Sequence, residues 1–350
     1  MKIAYLFDTF PAPTETFLAR EVAALRARGV EIEIWALHAG EGAHPIGMPP
    51  RVWKLAGKTR FWRATGANLA RELRRNGITH VHAAWANHVA DLARFAATKA
   101  DLPWSFAAHA RDLWVEGGDL KAKLKSAKWA CVCTRAGETE LRKSGDNVIY
   151  APHGIPVEDY PFGEWQNGPM RLLGVGRLVE KKGWADLVEA ANLLSAEVQI
   201  IGDGPLRASL PAAVLSGALP HQEVIETMRT WANCLVLPSR VDASGDRDGL
   251  ANVLLEAAAM GLPLVTTTAG SACDLVDDET GWLYAPNDPR ALAQTIEGVW
   301  QNPDEARRRC LNARRRVESD FDVNKNVEVL LNRMKAEEKA PDLYPSSFIL

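Results

Sequence analysis

Two carboxylates, Asp248 and Glu256, stand with seven residues between them in the stretch from Ser239 to Val265, which reads as a strand end, a polar loop, a helix, a glycine stop at Gly261 and a new buried strand. If the pair brackets that helix, a rise of about 1.5 Å per residue sets the two about 12 Å apart along the axis, a span that fits a bound sugar pyrophosphate. The helix N-terminus between them offers amide donors and positive dipole character to phosphates, while the carboxylates can accept hydrogen bonds from sugar hydroxyls. A plainer reading makes Asp248 a helix N-terminal acid and Glu256 a solvated helix residue. Against it, Glu256 lies in the apolar run Val253 to Met260, where an acid needs a partner or a ligand to offset its desolvation.

A second chemical signal is the stretch Gly174 to Gly183, directly after an apolar run. Its glycines allow close backbone approach, and Arg177 and Lys182 can clamp a pyrophosphate. The alternative is a generic strand-to-helix turn with surface lysines, and the full three-glycine dinucleotide fingerprint is absent from the sequence. His109, which follows the run Trp104 to Ala108, is the third candidate: it is either a loop-bonding histidine or, at a strand's C-terminal end, a functional one.

Those residues need elements to hold them. Lys2 to Phe7, a helix from about Glu15 to Arg28, and Val30 to Leu37 succeed one another at βαβ spacing. His80–Ala83, Trp104–Ala108, Ala130–Cys133 and Asn147–Tyr150 continue the series of short apolar runs, as a mostly parallel sheet requires. After a turn-rich segment, Arg171–Val175, Glu197–Ile201, Cys234–Pro238 and Pro263–Thr266 form a second series, and a final helix from about Val323 to Lys339 carries Val327, Leu330, Leu331 and Met334 at helical spacing. The expectation is an α/β chain of two domains, residues 1–160 and 170–322.

The 350 residues, 47% hydrophobic and 24% charged, suffice for two cores. A net charge of −3 argues against a nucleic-acid partner. Five scattered cysteines with no Cys-x-x-Cys pair suggest neither a disulfide framework nor a zinc site, which reads as cytoplasmic. The chain opens directly as a strand and no later segment approaches a membrane span, so any membrane contact is expected to be peripheral. Arg51, Lys54, Lys58, Arg60, Arg63, Arg71, Arg74 and Arg75, interleaved with Trp53, Phe61 and Trp62, form either a solvated helix face or a surface for the anionic inner membrane.

Together these motifs resemble the retaining glycosyltransferases of family 4, which have the GT-B fold of two facing Rossmann-like domains with a cleft between them. The resemblance covers nearly the whole chain. It rests on the Asp248–Glu256 segment, on Gly176-Arg177-Leu178 with Lys182-Gly183, on Ile201 to Arg207, on Leu237-Pro238-Ser239, and on Gly281-Trp282-Leu283-Tyr284, in the family's order. Phe10 to Phe17 and Phe106 to Trp114 are similar to the branch that builds bacterial capsular polysaccharides and exopolysaccharides.

The resemblance implies that the second domain binds a UDP- or GDP-sugar and the first a glycan or lipid-linked acceptor, with the C-terminal helix, residues 323–350, crossing back to the first domain. It implies His109 beside the transferred sugar, Arg177 and Lys182 on the leaving diphosphate, Asp248 on sugar hydroxyls and Glu256 on the ribose. Gly176, Gly202, Asp203, Gly249 and Leu250 would also line the donor site, and Thr14 and Glu15 the acceptor loop. Transfer would retain anomeric configuration and need no metal or other cofactor. Two departures stand out: Asp248 replaces the family's first glutamate, and the stretch between Arg207 and Val214 is short enough to remove much of a helix and strand. Two alternatives stay open at this level. A sugar-nucleotide epimerase would need no acceptor, and a non-catalytic sugar-nucleotide binder would show no donor hydrolysis.

Overall fold

The apolar runs close into two separate parallel sheets in the computed structural model, which describes residues 1–12, 15–40, 51–52 and 62–339. The first half runs β1 (Lys2–Phe10), α1 (Thr16–Ala27), β2 (Glu31–Ala39), β3 (Arg51–Val52), α2 (Trp62–Arg75), β4 (His80–Ala83), α3 (His88–Ala100), β5 (Trp104–Ala108), α4 (Ala110–Trp114), α5 (Leu120–Ser126), β6 (Trp129–Val132), α6 (Arg135–Arg142) and β7 (Val148–Tyr150). The second runs β8 (Arg171–Val175), α7 (Trp184–Leu194), β9 (Glu197–Ile201), β10 (Leu215–Gly217), α8 (His221–Thr230), β11 (Cys234–Leu237), α9 (Asn252–Met260), β12 (Leu264–Thr267), β13 (Trp282–Tyr284), α10 (Pro289–Gln301), α11 (Pro303–Asp320) and α12 (Val323–Lys339).

Strands β4, β5, β6 and β11 are buried along their whole length, as strands covered by helices on both faces must be. The strand orders are β3-β2-β1-β4-β5-β6-β7 and β10-β9-β8-β11-β12-β13. In each, the chain starts in the middle, winds one way and then reverses, so a crevice opens at the strand C-termini beside the first strand.

Expected and observed elements agree to within two residues almost everywhere. The strands β3, β10 and β13 are additions to the sequence reading. Where the shortened segment was expected to remove much of a helix and a strand, the helix is reduced to two 3-10 turns, Pro205–Ser209 and Ala212–Val214. The strand survives as three residues in shifted register with β9.

The C-terminal helix returns to the first sheet. Val327, Leu330, Leu331 and Met334 are buried in one cluster with Ile3, Leu18 and Val22. Its entry is pinned to the first crossing between the halves: Ile155 N–H donates to Phe321 O at 2.9 Å and Val323 N–H to Ile155 O at 3.1 Å. A Cβ on Gly154 would lie 2.4 Å from Val323 N, so the two crossings pack backbone to backbone. No helix among the described residues is long and apolar enough to cross a membrane. Of the basic and aromatic residues noted above, Trp53, Lys54, Lys58, Arg60 and Phe61 lie outside the described residues.

Candidate active site

Strand order decides which loops meet. The loop after β1 carries Glu15, the one after β5 carries His109, the one after β8 carries Gly176, Arg177 and Lys182, and the one after β11 carries Asp248. All are C-terminal strand ends, where parallel sheets of this winding place ligands.

Lys182 Nζ sits 2.7 Å from Asp248 Oδ2, and Lys181 Nζ 3.5 Å from its Oδ1. Ser239 Oγ donates to Oδ2 at 2.8 Å. Burial pushes the Asp248 carboxyl up, but the two ammonium groups and these hydrogen bonds outweigh it and hold it below the ordinary carboxylate range. Gly176 makes this arrangement possible, since a Cβ there would stand 3.2 Å from Lys182 Cε. One expectation is corrected: α9 begins at Asn252, so Asp248 lies in the loop before the helix, and the helical-rise spacing does not describe the pair. Ser239 and the lysines hold Asp248 against the strand ends in place of helical geometry.

Glu256, on α9, is 5% exposed, and three side chains meet its Oε1. Arg20 Nη2 and the Tyr160 hydroxyl donate to its Oε1 at 3.1 and 3.2 Å, and His221 Nε2 lies 3.0 Å from the same atom. None of the three contacts uses Oε2. Burial raises this carboxyl, yet the bonds from His221 and Arg20 outweigh that and hold it below its usual value. The sequence argument that an acid in this run needs partners is answered by three side chains, one of them from the other half of the chain.

His109 is buried, with its Nε2 3.1 Å from His153 Nε2, and burial holds its imidazole neutral well below the usual range. Its backbone N–H donates to Asp112 Oδ1 at 2.6 Å. The next residue, Ala110, faces the second half: a Cβ built on Gly249 would lie 3.9 Å from both Ala110 Cβ and Thr134 Cγ2. Gly249 therefore brings the loop before α9 against the His109 turn, and Leu250 packs on the second core.

Arg177 is exposed, its carbonyl fixed by Trp184 Nε1 at 2.9 Å. Glu15 faces it across the cleft and is pushed up to about 7, first by burial, against a hydrogen bond with Trp85 and the Arg177 charge. Thr14 lies outside the described residues. Gly202 (φ 152) passes so close to Gly176 that a Cβ would stand 1.9 Å from Gly176 O, so the loops after β8 and β9 are stacked. Asp203 turns inward on its own loop, accepting from Gly204 N–H at 2.7 Å, and its carbonyl accepts from Leu178 N–H at 2.9 Å.

The structure adds residues beyond the predicted donor and acceptor sites. Asp246, 3% exposed, pairs with Lys181 at 3.1 Å and with Arg111 of the first half at 2.9 Å. The Arg247 guanidinium lies 4.7 Å from the Trp114 ring centre. Arg20, Tyr160 and His221 join them around Glu256. Adjacent Lys181-Lys182 and the Asp246-Arg247-Asp248 tripeptide were visible signals. The Arg20 contact, whose partners lie 236 positions apart in sequence, left none.

Residues 169–302 match the model of the glycosyl transferases group 1 family. The chain is 25% identical to the WcaL protein of Escherichia coli K12, named as a colanic acid biosynthesis glycosyltransferase, over 95% of this chain and 100% of that one. It is 34% identical to the amylovoran biosynthesis glycosyltransferase AmsK of Erwinia amylovora over 44% of this chain and 41% of that one. Among solved structures, Anabaena HepE in complex with UDP and glucose superposes with a TM-score of 0.77 at 16% identity, covering 96% of this chain and 100% of that one. Residues 169–302 carry a glycosyl transferases group 1 domain, and the chain is a glycosyltransferase of GT-B architecture.

Proposed function

We propose that the chain transfers a sugar, with retention of anomeric configuration, from a UDP- or GDP-sugar to a glycan or lipid-linked acceptor in cell-surface polysaccharide assembly. The names of the colanic acid and amylovoran relatives support the polysaccharide setting, and the UDP and glucose bound by the HepE neighbour support the donor class. The observation that carries the reading is the buried contact of Lys182 with Asp248 at the mouth of β8 and β11, with Gly249 against the His109 turn.

In this account, Glu256 holds the ribose hydroxyls, for which Oε2 is the acceptor. Lys182 and Arg177 neutralise the diphosphate, helped by the amide groups at the start of α9. Asp248 accepts from hydroxyls of the transferred sugar once the donor phosphates share its lysines. Gly176 and Gly202, lacking side chains, let the diphosphate reach the backbone, and Asp203 shapes that loop. His109, neutral and walled by Trp85 and Phe17, lies beside the sugar and donates to it without adding charge.

The acceptor oxygen attacks the anomeric carbon on the face the diphosphate leaves, and its proton passes to the departing phosphate oxygen. Fixed positive groups stabilise the charge that develops there, which is the main catalytic contribution asked of the protein. Lys182 and Arg177 fill the role a divalent ion plays elsewhere, so turnover is expected to persist in chelator. Glu15, with Thr14, orients the acceptor. The test is transfer from radiolabelled UDP- and GDP-sugars to lipid-linked and oligosaccharide acceptors. Product formed only when both substrates are present supports the reading, and a modified sugar nucleotide released without acceptor sinks it.

A further inference from the structure

Three adjacent strand ends in the first half bring together residues whose chemistry exceeds what sugar transfer needs. His109 follows β5, Cys133 follows β6 and His153 follows β7 by three residues. Their ligand atoms lie within 4.8 Å of one another. The two Nε2 atoms are 3.1 Å apart and the rings are within 12° of parallel. Two nitrogens on one tetrahedral zinc ion, each at about 2.0–2.1 Å, stand roughly 3.4 Å apart, so a few tenths of an ångström of movement makes this a chelating pair.

The surroundings fit a metal as well. Nδ1 of His153 faces Glu21 Oε2 at 3.7 Å, and the Tyr5 hydroxyl anchors Glu21 through its Oε1 at 2.6 Å. A carboxylate behind the ligating imidazole is the outer partner that fixes which ring nitrogen is bare. With Nδ1 protonated toward Glu21, the Nε2 lone pair of His153 points at His109. Nδ1 of His109 is buried with no hydrogen-bond partner among the described residues, which leaves this ring's hydrogen bonding incomplete there.

We propose that His109, Cys133 and His153 form a binding site for a divalent ion of borderline softness, with Zn²⁺ as its representative, and that occupancy silences sugar transfer. Two neutral imidazoles and one thiolate supply three ligands, and the Cys133 proton is released to solvent as the sulfur binds. The residues that follow two of the ligands, Ala110 and Thr134, meet Gly249 of the second half. A metal bound at Nε2 fixes the His109 ring and places a dication beside the sugar. The inhibitory consequence rests on the role given to His109 above; the binding does not.

The spacing in sequence hides this group, since 24 and 20 residues separate ligands that β5, β6 and β7 set side by side. Metal-independent turnover and metal inhibition are compatible, because the ion is a regulator here and not a reactant.

The test is a titration of the metal-free full chain with Co²⁺, followed by displacement with Zn²⁺. One Co²⁺ per chain is expected, with a thiolate-to-metal charge-transfer band and the intense visible bands of tetrahedral cobalt. Cys133→Ser should lose the charge-transfer band and weaken affinity by more than the roughly 10- to 100-fold that loss of an outer partner costs, while Cys273→Ser, which removes an exposed thiol, should change neither. If Cys133→Ser fails to fold, His153→Gln serves, with weakened Co²⁺ affinity and loss of zinc inhibition as the readouts. Absence of the thiolate band, or equal Co²⁺ affinity in wild type and both site variants, overturns the site. Zn²⁺ should inhibit the wild type and spare Cys133→Ser, whose metal-free turnover stays at the wild-type level. A thiolate-ligated ion without inhibition overturns the regulatory half and the role of His109 together, leaving the binding site standing.

Discussion

The guanidinium of Arg20, on α1 of the first half, reaches the carboxylate of Glu256, on α9 of the second, at 3.1 Å. Both side chains are largely buried, so this bond joins the two halves at the acid assigned to the ribose. Removing Arg20 leaves Glu256 with Tyr160 and His221 alone. Arg20→Ala is expected to cost about 1–3 kcal/mol of stability, read as a lowered unfolding midpoint in urea. An unchanged midpoint would show that the bond does not hold in solution.

Glu256→Ala removes the acceptor itself and should abolish measurable nucleotide binding. Glu256→Gln keeps the volume and loses the charge, so calorimetry on both separates ribose recognition from packing. Wild-type affinity in either variant would remove Glu256 from the site.

Lys182 pairs with the Asp248 carboxylate and in the proposed mechanism shares it with the leaving diphosphate. Lys182→Ala should lower kcat about 10²- to 10³-fold with a smaller change in KM, because the charge it meets is largest in the transition state. A change confined to KM would make Lys182 a ground-state binding residue only.

His109→Ala should leave nucleotide affinity within about twofold and reduce transfer, since the imidazole meets the sugar and not the diphosphate. Equal loss of nucleotide binding would place His109 elsewhere in the mechanism.

Burial pulls His153 down to about 3 in the folded chain, from an ordinary value of 6.5. A histidine depressed on folding binds fewer protons folded than unfolded. Its stabilising contribution is therefore complete above about pH 6.5 and is lost progressively as pH falls toward 3. Glu21 and Asp112, each raised to about 7 by burial, act in the opposite sense, so the variant comparison is what isolates the histidine. The stability advantage of wild type over His153→Gln should shrink by on the order of 1 kcal/mol between pH 7 and pH 5. A pH-independent difference would contradict a buried neutral His153.

Much of the architecture was legible because it depends on local pattern. The runs at Arg171–Val175 and Glu197–Ile201 are strands to the residue, since buried parallel strands are short, apolar and bounded by glycine or polar turns. The amphipathic helix at Val323–Lys339 announced a docking surface, and the cluster with Ile3 and Leu18 supplies it. β13 was quoted for its motif and missed as a strand because Trp282, Leu283 and Tyr284 are too few to show a period. β10, also three residues, depends on pairing with β9 and not on its own composition.

The site was legible residue by residue and illegible as a geometry. Glu256 was marked by a charge inside an apolar run, and Lys182 by its place after a strand. The helical placement of Asp248 failed because Gly249, Leu250 and Ala251 delay the first helical turn to Asn252. The partners that define the electrostatics, Arg20, Arg111 and His153, come from distant segments with no local pattern to mark them. Their positions follow from strand order, which a single sequence does not display.

The most direct test of the central claim is calorimetric titration of the purified chain with UDP, GDP, ADP and NAD, and with common UDP- and GDP-sugars, with and without chelator. The account predicts binding of one nucleoside diphosphate and its sugar, insensitive to chelator and lost in Glu256→Ala. Silence from every nucleotide, or binding that survives Glu256→Ala unchanged, would contradict it.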